Sequence, residues 1–261
     1  MPFRLPLAVA AVCVLLSACG SSSTKAASSS SGSTTTTSPD LSTIGTGVVS
    51  GSDQSLDLNP PTGKAPSVAA GSACSALADA GWKSKCLVVT TANGTLTGLI
   101  ETKPAADGYS PLWQASVWVQ HGSTLVQSLH AGTADDQYFW EWLNLTSSDV
   151  LGDGRRELLF GFENQGTGAI LDIDAVSADG ASVLANEQIS IYKGAATVQG
   201  SRVVTHHPIY KDGDANCCPS GGDGSDTVTF AQGRWSVTAS RHVSPPPANQ
   251  QWPDDFADPN L

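Results

Sequence analysis

Two acidic clusters hold the side chains best suited to bind a cation. Asp149, Asp153 and Gly154 fall in the run Ser148-Asp149-Val150-Leu151-Gly152-Asp153-Gly154, and Asp212, Asp214 and Asn216 alternate along Asp212-Gly213-Asp214-Ala215-Asn216. Oxygen ligands at alternate positions of a glycine-bearing turn are what calcium takes. Both clusters depart from that pattern. Leu151 fills the middle ligand position of the first; in the second, Asp223 follows at the right distance, but Cys217 stands where the sharp turn wants glycine. The competing expectation, favoured for both, is a solvated turn whose carboxylates accept local backbone N–H groups. In the first of them Gly154 would take a positive φ.

Other chemistry is thinly represented. His206 and His207 are adjacent on an expected strand, so they point to opposite faces and cannot share a metal. His121, His130 and His242 are scattered. No Gly-x-Ser-x-Gly elbow, His-Glu-x-x-His helix or phosphate-binding loop occurs. Asp172 and Asp174 share one strand face, and the alternating Leu171, Ile173 and Ala175 mark them as its solvent side.

The N-terminus carries the strongest functional signal. Arg4, the apolar stretch Leu5 to Leu16 and the small residues Ser17 and Ala18 have the layout of a secretory signal. The apolar run is too short to span roughly 30 Å of hydrocarbon. Leu16-Ser17-Ala18-Cys19 resembles the lipobox of bacterial lipoproteins. That resemblance implies cleavage before Cys19 and a diacylglyceryl group on its thiol. Two acyl chains are the number that stable anchoring needs. Residues 19–66 are then a Ser/Thr/Gly/Pro-rich disordered tether, spanning roughly 35–40 Å if it behaves as a flexible coil.

Cys13 leaves with the signal and Cys19 carries lipid, which leaves Cys74, Cys86, Cys217 and Cys218. In an oxidising exterior these read as two disulfides, with three connectivities open. Cys74–Cys86 closes a short loop and is the favoured bridge, with a vicinal Cys217–Cys218 pair as its consequence. Two long-range bridges from 74 and 86 to the 217–218 turn are the competitor. A redox role would want Cys-x-x-Cys at a helix N-terminus, so the pair is expected to be structural.

Two further resemblances lie in the β region. The Ser148–Gly161 stretch resembles the acidic turn and following strand of integrin-type FG-GAP repeats, which implies a calcium-holding turn. Asp214-Ala215-Asn216-Cys217-Cys218-Pro219-Ser220 resembles a segment of uncharacterised actinobacterial secreted proteins and lipoproteins. It implies a shared fold and location, and no activity.

These residues need elements to hold them. An Ala-rich helix is expected from a Ser72 cap through Ala80, stopping at Gly81. Everything later reads as strands and turns: Leu87–Thr91 with Thr95–Thr102 across Asn93-Gly94, Ser116–Gln120 with Thr124–Leu129, Tyr138–Leu145, Glu157–Phe162 and Ala169–Val176. The series continues with Ser182–Ala185, Gln188–Tyr192, Ala196–Gln199, Ser201–Tyr210, Thr227–Phe230 and Trp235–Ser240. The fold class is all-β: one antiparallel domain at 67–244, a sandwich, curled barrel or partial propeller, with one short N-terminal helix. Residues 245–261, Pro-rich and acidic, are expected to be a disordered tail.

The net charge of −11, with Arg4 lost in the leader, excludes nucleic acid as a partner. The membrane is then reached through the lipid on Cys19. The expected role is a non-enzymatic binding or structural module of the cell envelope, its partner an envelope protein or glycan, with Trp113, Trp118, Trp140 or Trp142 in an exposed patch. Two alternatives stand beside it. One is a secreted hydrolase, which requires Asp149, Asp153 and His206 to converge in one pocket. The other is a calcium-stabilised β module.

Overall fold

Alternating apolar and polar residues, punctuated by Gly, Asn and Asp, build an all-β domain in which one sheet is covered on both sides. The computed structural model describes residues 45–50, 58–71, 73–91, 94–104, 111–132, 140–164, 169–182, 184 and 187–257, all of them in the unit Pro39–Leu261. The strand β1 (Thr46–Ser50) comes first, then β2 (Ser67–Ala69) and the helix α1 (Ala73–Leu77). A first meander follows as β3 (Lys83–Thr91), β4 (Gly94–Pro104), β5 (Pro111–His121) and β6 (Thr124–Gly132). The second is β7 (Trp140–Ser148), β8 (Glu157–Asn164), β9 (Ile170–Val176) and β10 (Glu187–Tyr192). The third is β11 (Ala195–Gln199), β12 (Arg202–Pro208), β13 (Asp223–Ala231) and β14 (Arg234–Val243). All pairings are antiparallel. The two early strands extend the edges, β2 beside β6 and β1 beside β10.

The middle sheet packs against both others. On β8, Leu158, Phe160 and Phe162 join Leu96, Ile100, Val117 and Leu129 of the first sheet in one core. Leu159, on the opposite face, joins Ile173, Ile189 and Ile191 with Val203, Val228 and Trp235 of the third sheet in another. An unbroken apolar run such as Leu158-Leu159-Phe160 is what a strand buried on both faces requires.

Four expectations change here. Composition predicts a tether through residue 66, yet β1 pairs with β10 through five residues, and Leu58 is buried while Asn59 bridges His130. Val48 and Leu58 give these short segments enough apolar surface to dock. The tail is likewise ordered to Ala257. Asp255 N donates to Ala196 O (2.7 Å), while Val198 N donates to Asp255 Oδ2 (2.6 Å), which covers the exposed edge of β11. Phe256 is buried in the second core over Gly161, where a Cβ would come within 2.3 Å of the ring. The helix ends at Leu77, before Ala80, because the Asp79 amide donates to Glu101 Oε1 (2.7 Å). Around Ser182 the chain forms a turn, with Ser177 N donating to Ser182 O (2.9 Å), where a strand was expected.

Candidate functional site

A deep concavity lies on the outer face of the first sheet. Residues of β4 and β5 that do not face the middle sheet form its floor. The register sets Glu101 opposite Gln114 and Leu99 opposite Ser116, and Ser116 opposite His130 of β6. One wall is the strap Pro61–Val68, held by Gln127 N donating to Pro66 O (3.0 Å) and by the Asn59–His130 bridge. The other runs from Ala76 to Trp82, tied to β3 by the Cys74–Cys86 disulfide (S–S 2.04 Å, Cα–Cα 5.7 Å). The cleft between them encloses about 840 Å³.

A polar group is built into this floor. Glu101 is only 1% exposed. Its Oε1 accepts from the Asp79 amide, and its Oε2 accepts from Gln114 Nε2 (2.5 Å). The same Gln114 nitrogen donates to Asp79 Oδ2 (2.9 Å). With both N–H bonds aimed at carboxylates, the Gln114 amide has its orientation fixed and its oxygen left to accept. Trp82 stands at the rim with the Lys103 ammonium 4.3 Å from its ring centre. Trp118 Nε1 donates to Ser116 Oγ (2.8 Å) at the floor. Lys64 lines the cleft with Asp79 and Glu101, and Lys103 reaches the Trp82 ring beside them, so cations and carboxylates balance there.

Trp113 and Trp118 are 4% and 8% exposed, so they are not part of an open aromatic patch. Trp113 packs toward Phe162 (6.2 Å between centroids), and Trp118 lies under α1 with Leu77 and Leu99. The side chains of Trp140 and Trp142 lie outside the described residues, as does Cys19.

The two acidic turns are closed by their own backbone. Asp149 Oδ1 accepts from Asp153 N and Oδ2 from Gly154 N, each at 2.9 Å. Asp153 pairs with Arg155 at 2.5 Å, which holds its carboxyl below the usual range. Glu157 completes this turn. It is fully buried, accepts from Val150 N (2.9 Å) and Leu151 N (3.3 Å), and has its pKa raised by burial. In the second turn Asp214 Oδ2 accepts from Lys211 N and Ser220 N, each at 2.7 Å, and these bonds lower its pKa. Asp212 is exposed, and Asn216 Oδ1 accepts from Tyr192 Oη. Among the described residues no group of three His, Cys, Asp or Glu side chains is placed to hold a metal ion.

Asp149, Asp153 and His206 do not converge. Their turn packs beside the β11–β12 turn, with Ser148 Oγ donating to Gly200 O (3.0 Å). His206 lies five residues beyond Ser201 along β12, about 16 Å away at strand rise. It stacks on Trp252 (4.2 Å between centroids), and burial lowers its pKa. His207 points the other way, as adjacent strand residues must, and its Nε2 meets Asp226 Oδ2 at 3.0 Å. Gly45 and Gly224 flank the ring so closely that a Cβ on either would overlap it, and Nδ1 lies 3.3 Å from Pro208 O. Burial disfavours the Asp226 carboxylate, but hydrogen bonds from His207, Ser240 and Thr46 outweigh it and lower the pKa. With both ring nitrogens engaged, His207 is a fastener.

Asp172 and Asp174 are 4% and 2% exposed, not on the solvent side. The first sheet covers that face of β9, so the alternation marks two buried surfaces instead of one. Cys217 and Cys218 are bonded to each other on an exposed loop.

Protein families, curated proteins and solved structures offer no match to this chain. The cleft must therefore be read from its own chemistry. Glu101 carries no local signal of its role, since a lone carboxylate in Leu99-Ile100-Glu101-Thr102 has the pattern of an ordinary solvent-facing position. In the fold the Asp79 amide and the Gln114 side chain meet it there.

Proposed function

We propose that the chain is a membrane-anchored extracytoplasmic lipoprotein, held by a lipid on Cys19. Its β domain is a non-enzymatic binding module of the cell envelope, and the cleft over the first sheet takes an uncharged glycan segment. The observation that carries the ligand class is the fixed Glu101–Gln114–Asp79 group beside the Trp82 ring. Carboxylate and amide oxygens accept from hydroxyls, and an indole face offers amphipathic packing surface to a sugar ring. Lysines balance the acidic side chains at the opening, so the site offers little to a strongly charged ligand. The lipobox pattern Leu16-Ser17-Ala18-Cys19 supports the anchor, and the acidic composition argues against the domain itself adhering to anionic lipid.

Two measurements test this. Intact mass should carry a diacylglyceryl group on Cys19, and Cys19→Ser should move the protein from membrane to medium; an unlipidated wild-type chain refutes the anchor. Neutral oligosaccharides (cello-, chito-, manno- and arabino-series) should quench tryptophan fluorescence saturably. The quench should be lost in Gln114→Ala and Trp82→Ala, each variant still unfolding cooperatively from a β-rich state. Absence of saturable binding across the series, or binding that survives both substitutions, overturns the ligand reading.

A further inference from the structure

The two disulfides sit in opposite circumstances. Cys74 and Cys86 are half-buried beside Leu77, Leu99 and Trp118, and their bridge joins a helix to a strand across a sequence separation of 12. Cys217 and Cys218 are both exposed at the tip of the loop between β12 and β13. A bridge between neighbours removes little freedom from the unfolded chain, so it adds little stability by that route.

Nor does the loop depend on it for shape. Upstream, the Asn216 carbonyl accepts from Tyr210 Oη (2.8 Å) and from Lys193 Nζ. Downstream, the Ser220 amide donates to Asp214, and Gly221 N donates to Ile209 O (2.9 Å). Cys218 N itself donates to Ala215 O (2.8 Å). The backbone is thus held on both sides of the sulfurs by bonds that do not involve them. The Lys193 ammonium, fixed at the carbonyl just before Cys217, brings positive charge where a thiolate would form.

We propose that Cys217–Cys218 is a site of reversible thiol–disulfide exchange with low-molecular-weight thiols. An incoming thiolate attacks one of the two sulfurs. The bond between them breaks as a mixed disulfide forms, and the released thiolate takes a proton from solvent. A second thiol attacks the mixed disulfide, leaves as the small-molecule disulfide, and frees the other cysteine. Two electrons pass from two thiols to the pair, and excess small-molecule disulfide reverses the sequence. This site is independent of the cleft.

The test uses the mature full-length protein in detergent. It is exposed to glutathione, quenched in acid, labelled with N-ethylmaleimide and mapped by peptide mass. Cys217 and Cys218 should take label at least about tenfold faster than Cys74 and Cys86, because attack needs access to sulfur. A glutathione adduct on the pair should appear first, glutathione disulfide should restore the bond, and the melting temperature should not move. Equal labelling rates, or labelling of the pair only in denaturant, overturn the proposal. A C217S/C218S double variant that melts as low as C74S/C86S overturns it as well.

Discussion

Asp172→Asn should stabilise the protein at neutral pH, although it alters one of the most buried side chains. Asp172 lies on β9 opposite Ser190, on the face of the middle sheet that the first sheet covers. Burial pushes its pKa from 3.8 up to about 6, and the Ser190 hydroxyl offsets only part of that. The folded state therefore holds this proton more tightly than the unfolded chain does. The resulting stability is complete below the unfolded value and is lost as pH rises from 3.8 to about 6. A shift of roughly two units corresponds to about 3 kcal/mol at 1.36 kcal/mol per unit. Asparagine keeps the shape and an acceptor for Ser190 without ever ionising. Urea unfolding followed by fluorescence should show the variant more stable than wild type by up to about 3 kcal/mol at about pH 7.5. The two curves should meet near pH 3.5 or below, with m unchanged. A variant less stable at every pH, or offset by the same amount across the range, would refute the claim that ionising this carboxylate in a dry layer is costly.

Phe256→Ala should lower stability by about 3–5 kcal/mol, as for a buried aromatic whose cavity cannot close. A loss under 1 kcal/mol would mean that the tail is peripheral to the second core. C74S/C86S should cost about 3 kcal/mol, the loop-closure value for a bridge of this separation, read by calorimetry under oxidising conditions. Melts with calcium and with chelator should coincide, because the Asp149 oxygens are bonded to the Asp153 and Gly154 amides; a rise with calcium would revive the metal turn. Asp149→Ala should cost about 1 kcal/mol in either buffer.

The strands were legible because period-two alternation and turn residues are local signals. Gly94 opens β4 at the end of the β3–β4 pair, and His121-Gly122 lies at the end of the β5–β6 pair. What covers a strand is not local. Asp172 and Asp174 alternate with Leu171, Ile173 and Ala175 as they would on a half-wet strand. The neighbouring run Leu158-Leu159-Phe160 carries the contrary signal, since a strand apolar at every position must be covered twice. Because β8 and β9 are partners, the cover on both faces of β8 extends to β9.

The tail teaches a related point about composition. Pro245–Leu261 has the acidity and proline content of an unfolded segment, and average hydropathy supports that reading. Two aromatics decide otherwise: Trp252 stacks on His206 and Phe256 fills the space that Gly161 leaves open. The acidic residues serve the fold too, since Asp254 and Asp255 accept the Ala196 and Val198 amides of an edge strand. A segment can be poor in apolar area and still dock if its few large side chains meet a prepared gap and its carboxylates meet unpaired N–H groups. The same logic governs the cleft. Glu101 is tolerable at its floor only because the Asp79 amide and Gln114 reach it, and the Cys74–Cys86 bridge keeps the segment carrying Asp79 against the sheet. The staple nearest in sequence to the tether thus organises the polar group on which the binding proposal rests.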